Sequence, residues 1–337
     1  MDEKITMQVT RYRPDKNTQP VPVDYEVPLR KEWTVLDGLN HIKAERDETL
    51  SFRWSCRMGI CGSCGMNVDG EPRLTCGTFL SDYAPGPVRV EPLANFPVVK
   101  DLVVDMKPHW DKFRQVQPYL QPSGEKPQRE YLVPNQAMVD LNQVMACIQC
   151  GACVMACTSL EVDENFIGPA ALAKAYRFTG DPRDAADKKR FKMYNEYGGV
   201  WDCTHCFYCV EVCPKGVAPM DQIMKIREQM VEAGVKNSAG YRHEEAFLSS
   251  VKTAGRLNEA TMVPKSLGLL NPANLGEMPG ALKLLRAGKL INAFKEGMLH
   301  RIPSAKSLRN IFRRVEKSPE VVAAHLPRKG EAMEETQ

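Results

Sequence analysis

Twelve cysteines dominate the chemistry open to this 337-residue chain, and they fall into three groups of four with none left over. The first group is Cys56, Cys61, Cys64 and Cys76, spaced C-x4-C-x2-C with the fourth after eleven intervening residues. The second is Cys147, Cys150, Cys153 and Cys157, and the third is Cys203, Cys206, Cys209 and Cys213; both read C-x2-C-x2-C-x3-C. Thiols this close together suit metal chelation better than disulfides. Zinc is the simplest metal to consider, but it takes cysteines in separated pairs, whereas each loop here carries three or four. Loops of this kind wrap an iron–sulfur cage and aim backbone amides at its sulfurs. Gly59, Gly62 and Gly65 let the first loop come that close.

The first spacing is that of plant-type [2Fe–2S] ferredoxins, and the other two match the bacterial two-cluster run. In that run three cysteines bind one cubane and the fourth binds the other. The expected sets are therefore Cys147, Cys150, Cys153 with Cys213, and Cys203, Cys206, Cys209 with Cys157. The cofactors expected are one [2Fe–2S] and two [4Fe–4S] clusters, the last becoming [3Fe–4S] if Cys206 does not ligate. A proline usually follows the fourth cysteine; Pro214 obeys and Thr158 does not. His205 lies between ligands that already number four, so it reads as a neighbour of the site and not as a ligand. No P-loop, no G-x-G-x-x-G and no serine, histidine or carboxylate constellation accompanies the cysteines. The chain reads as an electron wire with no catalytic residues of its own.

The elements that must hold these loops are legible in outline. "ITMQVTRY" alternates as a strand, with "DYEVPL" as its hairpin partner. Thr34 with Asp37 predicts a helix N-terminus, followed by Val35, Leu36, Leu39 and Ile42 on one face. "GMNVDGEPRLTC" predicts a hairpin turning at Asp69-Gly70, and "PVRVEPL" a further strand. Prolines at 118, 122, 127 and 134 predict a linker or extended strap. Helices are expected in "NQAMVDLNQVMAC", in "GPAALAKAYRF" with Pro169 in its first turn, and in "PMDQIMKIREQMVEAG", which stops at Gly234. "GDPRDAADKKRFKMYNEYGG" reads as a solvated, charged stretch. The expected architecture is α+β: a β-grasp [2Fe–2S] domain over 1–114, a linker over 115–135, a helical two-cubane domain over 136–240 and a basic helical extension over 241–337.

Net charge is only +3, but residues 281–315 hold nine Lys/Arg against one acid, Glu296. Ile291, Phe294, Met298 and Ile302 recur there at helical spacing, as a packing face or a membrane-surface face would. No recognition motif accompanies the basic residues, so nucleic acid is not an expected partner. The end, "KGEAMEETQ", is expected to be disordered. No apolar run approaches the ~18 residues of a membrane span. The first residues, "MDEKITMQVTRYRP", carry early charge and no apolar core, so no Sec-type signal peptide and a cytosolic chain are expected.

A [2Fe–2S] domain followed by a two-cubane domain resembles the iron–sulfur subunit of succinate dehydrogenase and fumarate reductase. "RWSCRMGICGSCGMNVDG", "FIGPAALAKAYRF" and "VCPKGVAP" carry the resemblance, which runs through about residues 1–235. It implies a flavoprotein partner with covalent FAD that interconverts succinate and fumarate. It also implies a membrane-associated partner toward quinone, and a peripheral place on the cytoplasmic side of the membrane. Common members lack a cysteine at the position of Cys206 and hold [3Fe–4S] there; here a fourth iron has a thiolate. Common members also carry proline and tryptophan after the cysteine matching Cys157, where this chain has Thr158 and Val162, so the usual quinone site is not expected. Both departures are similar to a branch whose partner carries cysteine-rich CCG domains, and "SLGLLNPANLGEMPGALKLLRAGKL" looks like the small iron–sulfur subunit of heterodisulfide reductase. The tail is then the expected dock for that partner. The alternatives are an electron carrier for a heterodisulfide-, glycolate- or glycerol-phosphate-type oxidoreductase, and a zinc scaffold or regulatory switch.

Overall fold

Alternation in the first strand drives one of its faces inward, and β1 (Lys4–Arg11) buries Ile5, Met7 and Val9. A computed structural model describes residues 3–16, 19–124, 127–268, 278–289 and 302–317. β1 pairs antiparallel with β2 (Val21–Pro28) and parallel with β5 (Val88–Glu91). β3 (Gly65–Val68) and β4 (Glu71–Leu74) complete a five-stranded sheet of order β2-β1-β5-β3-β4. The β3–β4 turn is at Asp69 and Gly70, both at positive φ, as expected of a two-residue hairpin turn. α1 (Val35–Glu45) begins at the expected Thr34–Asp37 capping box and buries Val35, Leu36, Leu39 and Ile42. Ile5, Met7 and Val9 of β1 and Val35, Leu39 and Ile42 of α1 share one core with Leu50, Met66, Val68, Val88 and Val90. Each such side chain contributes ~1.5–3 kcal/mol by leaving water.

Arg11 anchors the end of β1. Its Nε donates to Asp101 Oδ1 at 3.0 Å, while Asp101 also accepts from the Tyr12 and Ser51 amides. The short strands β6 (Val98–Lys100) and β7 (Val103–Val104) flank this aspartate. The pair thus fixes the chain at Ser51, just ahead of the first cysteine loop.

From α2 (Lys107–Gln115) onward the chain is helical: α3 (Asn135–Met145), α4 (Ala152–Met155), α5 (Thr158–Val162), α6 (Pro169–Thr179), α7 (Asp187–Tyr194), α8 (Tyr208–Glu211) and α9 (Pro219–Glu232). α6 starts at Pro169 and is buried nearly throughout. Its Ala170 and Ala173 line the space bordered by Cys147, Cys150, Cys153 and Cys213. The stripe Ile223, Ile226 and Met230 on α9 is fully buried. The expected α+β architecture therefore holds.

The solvated reading of residues 180–199 is overturned. Asp181, Asp184 and Arg190 are buried. Arg190 donates to the carbonyls of Val116, Gln117 and Tyr119, each at 2.8 Å, and to Asp184. Asp181 accepts from Arg177 and Arg183. Sequence composition registers these charges but not that they cancel one another in place. Arg190 thereby pins the first part of the proline-rich strap.

The described residues form two compact units. One comprises the chain up to Arg190 with Tyr197–Arg227, and the other comprises Phe191–Glu196 and the chain from Glu228 onward. All twelve cysteines belong to the first. In the second, α10 (Ala239–Ala254) is N-capped by Ser238, and α11 (Glu259–Leu267) and a helix over Ala305–Lys317 pack on it. Of the stripe Ile291, Phe294, Met298 and Ile302, the first three lie outside the described residues, as do the end of the chain and positions 269–277 and 290 of the segment 266–290 singled out above. Among the described residues no helix is long and apolar enough to cross a membrane.

His109 on α2 is 4 % exposed and packs against Phe96, Trp110 and Phe113, with ring centroids 5.9, 5.2 and 4.7 Å away. Burial pushes this imidazole down to about 4, with Gln149 acting weakly the other way. Unfolded histidine titrates near 6.5. Between those values the unfolded chain binds a proton that the folded chain refuses, so stability is full above the upper value and falls with pH through the window. The loss expected is up to roughly 3 kcal/mol. Denaturant midpoints at pH 7 and pH 5 should differ for the wild type, and the difference should shrink in His109→Leu.

Candidate metal centres

The first cysteine loop follows Ser51 and runs into β3. Three of its amides, of Met58, Ile60 and Cys61, donate to Cys56 Sγ at 3.4, 3.4 and 3.3 Å. They bring this thiol down to about 6. The loop can turn its amides inward because Arg57, Gly59 and Gly62 all have positive φ. The Cys56 amide donates to Cys61 Sγ at 3.5 Å, and Cys64 lies against Cys76. Thr75 ties the two halves together, its hydroxyl donating to Cys64 O at 3.0 Å. Burial pushes the Cys64 thiol up to about 11. The four thiols thus stand as two adjacent pairs, Cys56 with Cys61 and Cys64 with Cys76.

The second and third loops are built alike. In one, Gln149 (φ 60°) and Gly151 (φ 82°) flank Cys150; in the other, His205 (φ 56°) and Phe207 (φ 64°) flank Cys206. Each loop runs directly into a four-residue helix, α4 or α8, whose N-cap is left-handed. Cys206 therefore holds in its loop the place that Cys150 holds in the other. Phe207 adopts this conformation without glycine's freedom, a cost of order 1–3 kcal/mol.

Cysteines of the two runs meet crosswise. A pocket of about 400 Å³, its open mouth included, is lined by Cys147, Cys150, Cys153 and Cys213 together with Ala170, Ala173 and Val217. Cys157, in turn, stands among Cys203, Cys206 and Cys209, which feel one another's charge. Thr158, in place of the usual proline, directs its hydroxyl at Cys206 Sγ, 3.9 Å away. Burial pushes Cys150 up to about 11, Cys209 up to about 12 and Cys153 well above its ordinary value. Cys150, Cys153 and Cys209, raised in this way, hold their protons until a cation replaces them. The donor sets, all soft sulfur, fit iron–sulfur clusters.

All twelve cysteines are free thiols. Among the described residues no three His, Cys, Asp or Glu side chains converge as ligands of one metal ion. Sulfurs on one tetrahedral zinc stand about 3.8 Å apart; thiolates on separate irons are free to stand wider.

Three residues tie the [2Fe–2S] region to the second loop in ways the sequence did not announce. Gly62 and Gly65 were read as room for the cluster. They also make room for the other loop: a Cβ on Gly62 would lie 2.8 Å from Ile148 O and 3.0 Å from Cys150 Cα, and one on Gly65 2.8 Å from Cys150 O. Asn95 was missed. Its side-chain amide donates to the carbonyls of Val154, Met155 and Cys157 at 2.9, 3.1 and 3.2 Å, closing the end of α4. Its positive φ of 63° is the signal a turn-forming Asn could have given. His205 meets Arg227, in keeping with its reading as a neighbour of the site.

Residues 6–111 match the 2Fe-2S iron-sulfur cluster binding domain family, and residues 143–217 match the 4Fe-4S dicluster domain family. The fumarate reductase iron-sulfur subunit of Mycobacterium tuberculosis is 46 % identical over 229 residues, which is 67 % of this chain and 93 % of that protein. The chain belongs to the iron–sulfur subunits of succinate dehydrogenase and fumarate reductase. The succinate dehydrogenase iron-sulfur subunit of Coxiella burnetii is 35 % identical over 234 residues, covering 68 % of this subunit and 97 % of its relative. Among solved structures, a chain of the Mycobacterium smegmatis Sdh1 complex in the apo form superposes with a TM-score of 0.65 at 28 % identity, covering 70 % of this subunit and 99 % of that chain. The two matched domains fit one [2Fe–2S] cluster and two further iron–sulfur clusters.

The contact at Gly62 gives a direct test. In Gly62→Ala the added methyl meets backbone, which cannot step aside, and its φ of 73° is unfavourable for alanine. A loss of about 2–4 kcal/mol is expected, read as a lowered denaturation midpoint. Gly59→Ala, which has the strained φ but open space around it, should lose less.

Proposed function

We propose that this iron–sulfur subunit relays electrons in a succinate:quinone oxidoreductase or quinol:fumarate reductase, between the FAD of a flavoprotein subunit and a membrane-associated, quinone-reactive subunit. The observation that carries the reading is the sequence of three thiol pockets within one compact unit, with the loops of the first two in backbone contact at Gly62, Gly65 and Cys150. When bound, the clusters supply one-electron transfer. The chain's own part is to hold their thiolates, exclude water from Cys153 and Cys209, and keep neighbouring loops close.

The first set of ligands is Cys56, Cys61, Cys64 and Cys76; the second is Cys147, Cys150, Cys153 and Cys213; the third is Cys157, Cys203, Cys206 and Cys209. In this reading residues 1–114 serve the first centre, 136–240 the other two, and 241–337 dock a partner. The third centre is [4Fe–4S]. The matching left-handed residues around Cys150 and Cys206 support a ligand role for Cys206. So does the Thr158 hydroxyl aimed at its sulfur, which also links the two departures from common members. Those departures favour a partner with CCG domains, docked by the basic extension, and a peripheral place on the cytoplasmic side of the membrane. The enzyme's substrate chemistry belongs to the flavoprotein; this subunit contributes no catalytic side chain.

Low-temperature EPR of the purified complex tests the third centre. Oxidised wild type should be silent, because an ordinary [4Fe–4S] centre is diamagnetic in that state. Cys206→Ala should gain a signal in the oxidised state, as a three-iron centre would give. A strong oxidised signal already present in the wild type contradicts the assignment.

A further inference from the structure

We propose that Arg227 is a positioning residue of the third centre: it fixes the loop that carries Cys203 and Cys206, and its charge raises that centre's midpoint potential. The inference rests on the reading of Cys157, Cys203, Cys206 and Cys209 as ligands.

Arg227 lies near the end of α9 and is 3 % exposed. Its fork of donors is directed at one short segment of chain. Nε donates to Val200 O at 2.9 Å. Nη2 donates to Val200 O and, at 3.0 Å, to Cys203 O. Nη1 meets His205 Nε2. The guanidinium carbon stands 5.1 Å from the Trp201 ring centroid. One side chain thus holds the residue three before the first ligand, that ligand's own carbonyl and the residue just ahead of Cys206. His205 and Phe207 are both left-handed there without being glycine, so the loop needs such an external hold. Arginine suits the task because its five donors are fixed in a plane; lysine has a single swivelling ammonium.

The charge has a second effect. Arginine stays protonated at any working pH. Buried beside the loop, it is screened less than a surface cation would be. Reduction adds one negative charge to a cluster, and a nearby fixed cation stabilises the more negative form. Net charge and the hydrogen bonds around a cluster are among the quantities that set its potential. Arg227 therefore draws electrons toward the third centre, at the end of the relay opposite the first loop.

The test is a redox titration followed by low-temperature EPR on the complex assembled with the full-length chain, comparing wild type, Arg227→Gln and Arg227→Lys. Both variants shorten the fork, and only the glutamine removes the charge. In Arg227→Gln the ratio of reduced to oxidised third centre, read at the wild-type midpoint, should fall about tenfold, equivalent to about 59 mV. The first and second midpoints should not move, and Arg227→Lys should stay within about twofold of wild type. Equal shifts in the two variants, an unmoved midpoint in Arg227→Gln, or loss of the centre from both alike overturns the charge role. A wild-type complex with no reducible third centre overturns the ligand assignment itself, and this inference with it. Iron content measured on each variant separates that failure from the others.

Discussion

Gathering four thiolates in one place is unfavourable unless a cation takes the place of their protons. The remaining features of the cysteine-bearing unit follow from that constraint. Burial lifts Cys64, Cys150, Cys153 and Cys209 toward the neutral thiol, so metal entry must displace protons and the affinity of the pockets depends on pH. Cys56 is the counterexample, held toward the thiolate by three loop amides. A half-buried, already activated thiol in the same loop as the buried Cys64 gives the first loop a natural point of entry. In the helical region the cysteines are drawn together by fold geometry: the four-residue helices α4 and α8 hold the third cysteine of each run, and the fourth, Cys157 or Cys213, follows beside the other run's cysteines.

The contact between the first and second loops shows how tightly the relay is assembled. It is made by backbone atoms and not by side chains, since Gly62 and Gly65 leave nothing between the strand of the first loop and Cys150. Asn95, reaching from the sheet domain to the end of α4, ties the same two regions by three hydrogen bonds. His109 and its aromatic neighbours fill the space behind, where Phe96 also packs close to Gly151. Separation between centres is therefore set by the most rigid parts of the chain.

Much of this was legible before any coordinates. Cysteine spacing specified three ligand groups because the reach of three or four residues is fixed by backbone geometry. The capping box at Thr34, the turn at Asp69-Gly70 and the start of α6 at Pro169 are local signals, and they appear where local chemistry put them. What escaped was non-local. Arg190 and Asp184 look like surface charges in a hydrophilic stretch, yet they pair with one another and with strap carbonyls some seventy positions away. Arg227 sits in a helix whose apolar stripe was evident, but nothing in its spacing points to Val200 or Cys203. Gly62 was expected to serve the cluster and was found against Ile148 and Cys150 as well. Contacts between distant segments depend on how the elements pack, which no short window of residues encodes.

Chemical analysis of the purified, full-length subunit is the most direct check on the claim that these twelve thiolates hold three iron–sulfur cages, the last of them with four irons. Iron, zinc and acid-labile sulfide should be measured together on the same anaerobic sample. About ten irons and about ten sulfides per chain, with no zinc, is the result expected. About nine irons against about ten sulfides would contradict the four-iron third centre, and zinc without sulfide would contradict the relay altogether.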